Sequence, residues 1–229
     1  MIPRSRAALV IGLAAFFVLA TLFSATLDGF PQITGRAVTQ LSIIQKYKKT
    51  CNFTMTQGLN LVCIPCLRAG TPTEEAVQQI WDTSSQCPSA VISVHSYKSE
   101  DGLDHWKSYN QCLPKYVIQD LTVMEDNEAY FVNMRIGRYV NFTNDITIPN
   151  YITLYQGWNM AGYAANDTNK PRSIATAFPD ISGSVIEIQS YCNGTYQVHN
   201  STQTDFNILQ PFRGYWIKMQ ENRTWVIDW

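Results

Sequence analysis

One stretch of this chain occurs twice, and that duplication limits the possible folds more than any other feature. Three blocks recur in the same order. Thr54–Leu61 lies over Thr153–Met160, with a Thr, a Gln, a Gly and an Asn in common. Val91–Tyr97 lies over Val185–Tyr191, and Asp120–Met124 lies over Asp205–Leu209. The last register runs on through Tyr130 and Tyr215, Met134 and Met219, and Arg138 and Arg223. The spacing between blocks only shrinks in the second copy, so the first carries extra residues between shared elements. Two kindred units are expected.

Within each copy, period-two alternation marks short strands. In the first they are expected at Leu59–Ile64, Val91–Tyr97, Val117–Met124, Ala129–Met134 and Arg138–Phe142. In the second they fall at Tyr151–Tyr155, Trp158–Tyr163, Ser184–Tyr191, Thr195–His199, Phe206–Leu209, Gly214–Met219 and Thr224–Ile227. Thr71-Pro72-Thr73-Glu74 has the form of a capping box and predicts a helix with Ala76, Val77, Ile80 and Trp81 on one face. A shorter helix is predicted after Pro171, with Ile174, Ala177 and Phe178 turned inward. The expected fold class is therefore α+β: two tandem units, each an antiparallel sheet with one short helix, behind an N-terminal transmembrane helix. The expected divisions are 1–27 (anchor or signal), 28–49 (stalk), 50–143 (first unit), 144–150 (linker) and 151–229 (second unit).

The second copy opens on Gln156-Gly157-Trp158-Asn159-Met160 and closes on Phe212-Arg213-Gly214-Tyr215-Trp216-Ile217-Lys218-Met219. That pattern resembles a "GWN…GYWI" repeat of exported cell-surface proteins in archaea and some bacteria. The first copy departs from it, with Leu59 in place of the Trp, and Ala129 and Phe131 in place of the Gly and Trp of the closing block. The resemblance implies an accessory surface module without a shared enzymatic activity.

The N-terminus points to export. Arg4 and Arg6 precede an uninterrupted apolar run from Ala7 to Phe23. Extended to Leu27 it gives about 20 residues, enough to cross ~30 Å of hydrocarbon as a helix. Positive charge before it and Asp28 after it predict a cytoplasmic N-terminus and an external remainder, with residues 7–27 in the lipid bilayer. A cleaved signal peptide, giving a secreted product, is the other reading. Six Asn-x-Thr sequons fit an exported glycoprotein. Asn193, Asn200, Asn166 and Asn141 are the candidate acceptors, while Asn52 and Asn222 lie near strands. A formal net charge of -1 gives no basic field for nucleic acid.

Six cysteines in an exported chain read as disulfides. Cys51 with Cys63 across a hairpin, Cys87 with Cys112, and Cys66 with Cys192 between the copies form one expected set among several. Cys63-Ile64-Pro65-Cys66 also has the spacing of a redox pair, but it ends a strand rather than opening a helix, where a thiol pKa would fall. No phosphate loop, dinucleotide fingerprint, nucleophile elbow or zinc-ligand spacing occurs. Asp120 and Asp205 recur in register, yet they head equivalent strands in separate units rather than facing one cleft as a glycosidase needs. No catalytic, cofactor-binding or metal-ligating set is expected.

The residues thus point to a non-enzymatic surface protein with a structural, adhesion or assembly role, contacting other envelope proteins or surface glycans. A carbohydrate-binding module is the alternative, with Trp106, Tyr109, Trp158 and Trp216 as stacking platforms. An extracytoplasmic thiol oxidoreductase resting on Cys63 and Cys66 comes third.

Overall fold

The computed structural model describes residues 45–80, 90–114, 116–148, 150–164 and 170–227. The expectations for residues 1–44, including the apolar segment 7–27, lie outside them.

The first half contributes β1 (Gln45–Met55), β2 (Gly58–Cys63), β3 (Thr71–Pro72), α1 (Thr73–Ile80), β4 (Val91–Tyr97), β5 (Trp106–Tyr109), β6 (Val123–Met124), β7 (Ala129–Met134) and β8 (Arg138–Ile148). The second contributes β9 (Asn150–Leu154), β10 (Gly157–Gly162), β11 (Arg172–Ser173), α2 (Ile174–Ala177), β12 (Val185–Cys192), β13 (Thr195–Asn200), β14 (Ile208–Leu209), β15 (Gly214–Met219) and β16 (Arg223–Ile227). One four-stranded antiparallel sheet runs β2-β7-β4-β5 and the other β10-β15-β12-β13. Each is accompanied by a ribbon (β1 with β8, β9 with β16) and by a two-residue pair (β3 with β6, β11 with β14).

The α+β expectation is corrected. The described chain is built mostly of strands in several antiparallel sheets, and α1 and α2 span eight and four residues. The reason is how each sheet is covered. One face meets the ribbon and the short helix, and the other meets the second sheet, so helix supplies only a small part of either core. Among the described residues no helix is long and apolar enough to cross a membrane. The expected capping box does not form either. Thr71 lies in β3 opposite Met124, its hydroxyl donates to the Arg68 carbonyl, and the helix begins at Thr73. Segment 144–150, expected as a linker, is mostly the end of β8 together with the start of β9. The expected strand at Val117–Met124 shrinks to β6.

Two local devices recur. Gly58 and Gly157 hold φ of +90° and +92°, a region that side chains disfavour. The following Asn locks each turn. Asn159 accepts from Tyr155 N at 2.7 Å and donates to the carbonyls of Tyr155, Gly157 and Ile217. Asn60 makes the same set with Thr56, Gly58 and Val132. Likewise Tyr130 Oη takes the Glu125 N–H at 2.6 Å, as Tyr215 Oη takes that of Gln210.

Alternation sorts each strand between two cores. Val62, Val94, Tyr130, Val132 and Met134 face the first unit's own core, closed by Met55, Val140, Ala76 and Val77. Ile188, Tyr215, Ile217 and Met219 face the second, closed by Leu154, Trp225, Ala177 and Phe178. Trp225 also donates its indole N–H to the Ala177 carbonyl at 2.7 Å, tying β16 to α2. The opposite faces meet each other. Leu61, Ala129, Phe131 and Met160 form a third cluster, flanked by Tyr97, Tyr191 and Trp216.

The junction is reciprocal. Cys63 N donates to Phe212 O and Gly162 N to Asn127 O, each at 3.0 Å. Single bridges join Val62 to Arg213 and Ala161 to Glu128. Each pair uses the same two register positions with the halves exchanged, which is the pattern of an isologous contact within one chain.

Candidate functional site

The two facing sheets do not cover each other fully. On the first sheet an apolar corner stays open, lined by Leu59, His95, Trp106, Ser108, Phe131 and Tyr196. Phe131 is buried and forms the floor. Trp106, on the edge strand β5, is 47% exposed; Tyr196, on the edge strand β13, is 48% exposed. These two sit at matching places, because Trp106 pairs with Tyr97 just as Tyr196 pairs with Tyr191. Both pairs are edge-on, with ring centroids 5.4 and 5.0 Å apart. The groove thus lies where two edge strands converge, with an exposed aromatic on each. His95 bonds Ser93 through Nε2 at 2.9 Å, and burial holds its pKa below the usual imidazole value, so it is a neutral wall of the groove.

The four expected stacking residues are not gathered there. Only Trp106 reaches the groove. Trp216 is half-buried, edge-on to Tyr97 at 4.9 Å and to Trp106 at 5.8 Å. Trp158 lies edge-on to Trp216, with the Lys218 ammonium 5.6 Å from its ring centroid. Tyr109 packs on the first unit's core, because it is three residues from Trp106 and alternation turns it to the other face. Sequence reasoning missed β5 and Tyr196. No strand was expected between Val91–Tyr97 and Val117–Met124. In fact His105 bonds the Lys98 carbonyl and stacks on Tyr97, and Asp104 pairs with Lys107 at 3.1 Å. The match between the Tyr97–Trp106 and Tyr191–Tyr196 hairpins was the available signal.

The cysteine set is corrected in part. Cys51 bonds Cys66, with 5.9 Å between their Cα atoms. Cys63 and Cys192 are free thiols, so neither Cys51–Cys63 nor Cys66–Cys192 forms. Alternation gives the reason. Cys63 shares a face with Leu61 and points to the second unit, whereas Cys51 shares a face with Met55 and points to the first core. Cys112 is disulfide-bonded, and Cys87 lies outside the described residues. Cys63 is fully buried and leans on the Asp126 carbonyl at 3.4 Å. Burial, then the nearby Asp126 carboxylate, pushes its thiol far above the usual range, opposite to what a redox nucleophile needs.

Asp120 and Asp205 do the same structural work. Asp120 accepts from Ser108 N at 2.6 Å and Asp205 from Val198 N at 2.8 Å, each holding an edge strand. Of the sequon residues, Asn193 occupies an exposed turn with Gly194, at φ of 52° and 82°. Asn141 is exposed and lies directly opposite the exposed Asn52. Asn200 is held by Thr202, Gln203 and Glu187, and Asn222 accepts from Gln156 N. Asn166 lies outside the described residues. Among the described residues no cluster of His, Cys, Asp and Glu could hold a metal ion.

No family model, no curated protein and no solved structure matches this chain.

Proposed function

We propose that this protein is a non-enzymatic module displayed outside the cell, and that it assembles with another envelope protein through the Trp106–Tyr196 groove. The single observation behind this reading is that groove: a shallow apolar surface between two edge strands, walled by two exposed aromatics. Interfaces favour such residues, since Trp and Tyr bury large area at low entropic cost. External display is supported by the Cys51–Cys66 disulfide and by sequons at exposed turns and ribbons.

The test uses intact envelope from cells carrying the full chain. A photo-reactive phenylalanine analogue replaces Tyr196 or, as a control on the far side of the second sheet, Ile186. Cross-linking from position 196 to one protein, abolished by Trp106→Ala and absent from position 186, supports assembly. Equal adducts from both positions, or none from 196, rejects it.

A further inference from the structure

The second unit holds a polar cavity that the groove does not use. Gln197, Ser190 and Tyr215 stand side by side across β13, β12 and β15. Together with Asp205, Phe206 and Arg213 they line a space of about 460 Å³, within the range of ligand pockets. Ser190 is 2% exposed and its hydroxyl has no hydrogen-bond partner. An orphan buried hydroxyl keeps its desolvation cost with nothing to offset it, so a native fold rarely holds one without a use.

The cavity's other groups are open as well. Arg213 makes no ion pair among the described residues. Both bonds to the Asp205 carboxylate, from Val198 N and Gln203 Nε2, fall on Oδ2, which leaves Oδ1 facing no donor among the described residues. The first unit gives the contrast. Where the second has Arg213, the first has Glu128, which is paired with Lys98 and takes the Tyr130 hydroxyl at 2.9 Å. Where the second has Gln197, the first has Lys107, bonded to Asp101 and Asp104. The first unit satisfies these positions internally, and the second leaves them for something else.

We propose that this cavity binds a single neutral sugar ring. The lining has both donors (Arg213, the Gln197 amide) and acceptors (Asp205 Oδ1, the amide oxygen), with Ser190 able to act as either. Vicinal hydroxyls of a pyranose meet that mixture, since each donates and accepts. Phe206 offers an apolar ring to the C–H face of the sugar. A phosphate or sulfate would bring acceptors alone and would face Asp205, and a metal ion would find one carboxylate. The site is independent of the groove, so either proposal can fail alone.

Titration calorimetry on the full chain, with D-glucose, D-galactose, D-mannose and N-acetylglucosamine at millimolar concentrations, tests it. At least one sugar should bind, and Ser190→Val, which replaces the hydroxyl with a methyl and adds a second methyl, should weaken it about tenfold or more. Gln197→Ala, at a half-buried edge position that tolerates truncation, should do the same. Ser96→Val, the matching change in the first unit, should leave affinity unchanged. No heat from any sugar, equal affinity in Ser190→Val and Gln197→Ala, or stronger binding of inorganic phosphate than of every sugar would overturn the proposal.

Discussion

A Cβ placed on Gly162 would fall on the Sγ of Cys63, 2.7 Å from its Cβ and 2.8 Å from the Glu128 carbonyl. These two residues hold the same position in the two halves. A second such pair lies beside them: a Cβ on Gly214 would meet the Cβ of its counterpart Ala129 at 2.5 Å. Where the halves meet, matching residues therefore contact each other, and only one of each pair can carry a side chain. The departure of the first copy from Gly at position 129 is thus compatible with the junction only because Gly214 stays bare.

Gly162→Ala should destabilise the fold by about 1–3 kcal/mol, the usual cost of forcing extra volume into a packed interior. Cys63→Gly in the same chain should recover part of that loss, since it removes both sulfur and Cβ from the new methyl. Recovery is partial because the Glu128 carbonyl stays in place. Urea unfolding of the two single variants and the double variant measures the coupling. Strict additivity would mean that the clash is relieved by separation of the sheets and that the junction is not rigid.

The two free thiols should differ in reactivity. Cys63 is fully buried and its thiol is held protonated, while Cys192 is half-buried at the end of β12. Under native conditions iodoacetamide should label Cys192 alone, with Cys63 labelled only in denaturant. Peptide mass spectrometry reads both sites. It also reads the Cys51–Cys66 bridge, whose removal by Cys51→Ala with Cys66→Ala should cost about 3 kcal/mol for a loop of this size.

Much of this architecture was legible in the residues, and the failures share one cause. Strand positions followed largely from alternation. What alternation leaves open is which partner covers each face. The sequence showed two apolar faces per strand, but nothing local says that one face of each sheet meets the other sheet. A helix was therefore given a role that a second sheet fills, and Cys63 was paired within its own unit instead of against Gly162. Trp106 itself was expected as a stacking platform, but the strand β5 that carries it was not, because the charged neighbours Asp101, Asp104 and Lys107 interrupt any apolar alternation there. Those charges bond one another and leave the backbone free to form β5.

Asp126 sets a pH dependence. It is buried beside the junction, and desolvation pushes its carboxyl from 3.8 up to about 6, opposed by Lys49 and by its own backbone contacts, with Glu125 adding to the rise. The folded chain therefore keeps this proton between about pH 4 and 6, where the unfolded chain has lost it. Stability from this group is full below pH 4 and declines as pH rises through 6. Asp126→Asn removes the titration. Thermal melts of the two proteins should agree near pH 4 and diverge by pH 7, with the variant more stable by at most about 3 kcal/mol. Parallel melting curves across that range would show that the carboxylate is solvated.

The two turn asparagines offer a comparison inside one molecule. Asn159 is 3% exposed, while Asn60 is only half-buried, although both make the same bonds. Removing either side chain strands the same backbone groups around a glycine at positive φ. At Asn60 water can reach them, so the loss should be close to the net worth of the bonds, about 1 kcal/mol. At Asn159 water cannot reach them, and each stranded group adds its desolvation penalty, for a total of about 2–4 kcal/mol. Asn159→Ala should therefore lower the urea midpoint well beyond Asn60→Ala. Asn159→Asp should stay costly too, since a carboxylate can accept from Tyr155 N yet cannot donate to the carbonyls of Tyr155, Gly157 and Ile217. Equal midpoints for Asn60→Ala and Asn159→Ala would mean that burial does not decide the strength of this lock.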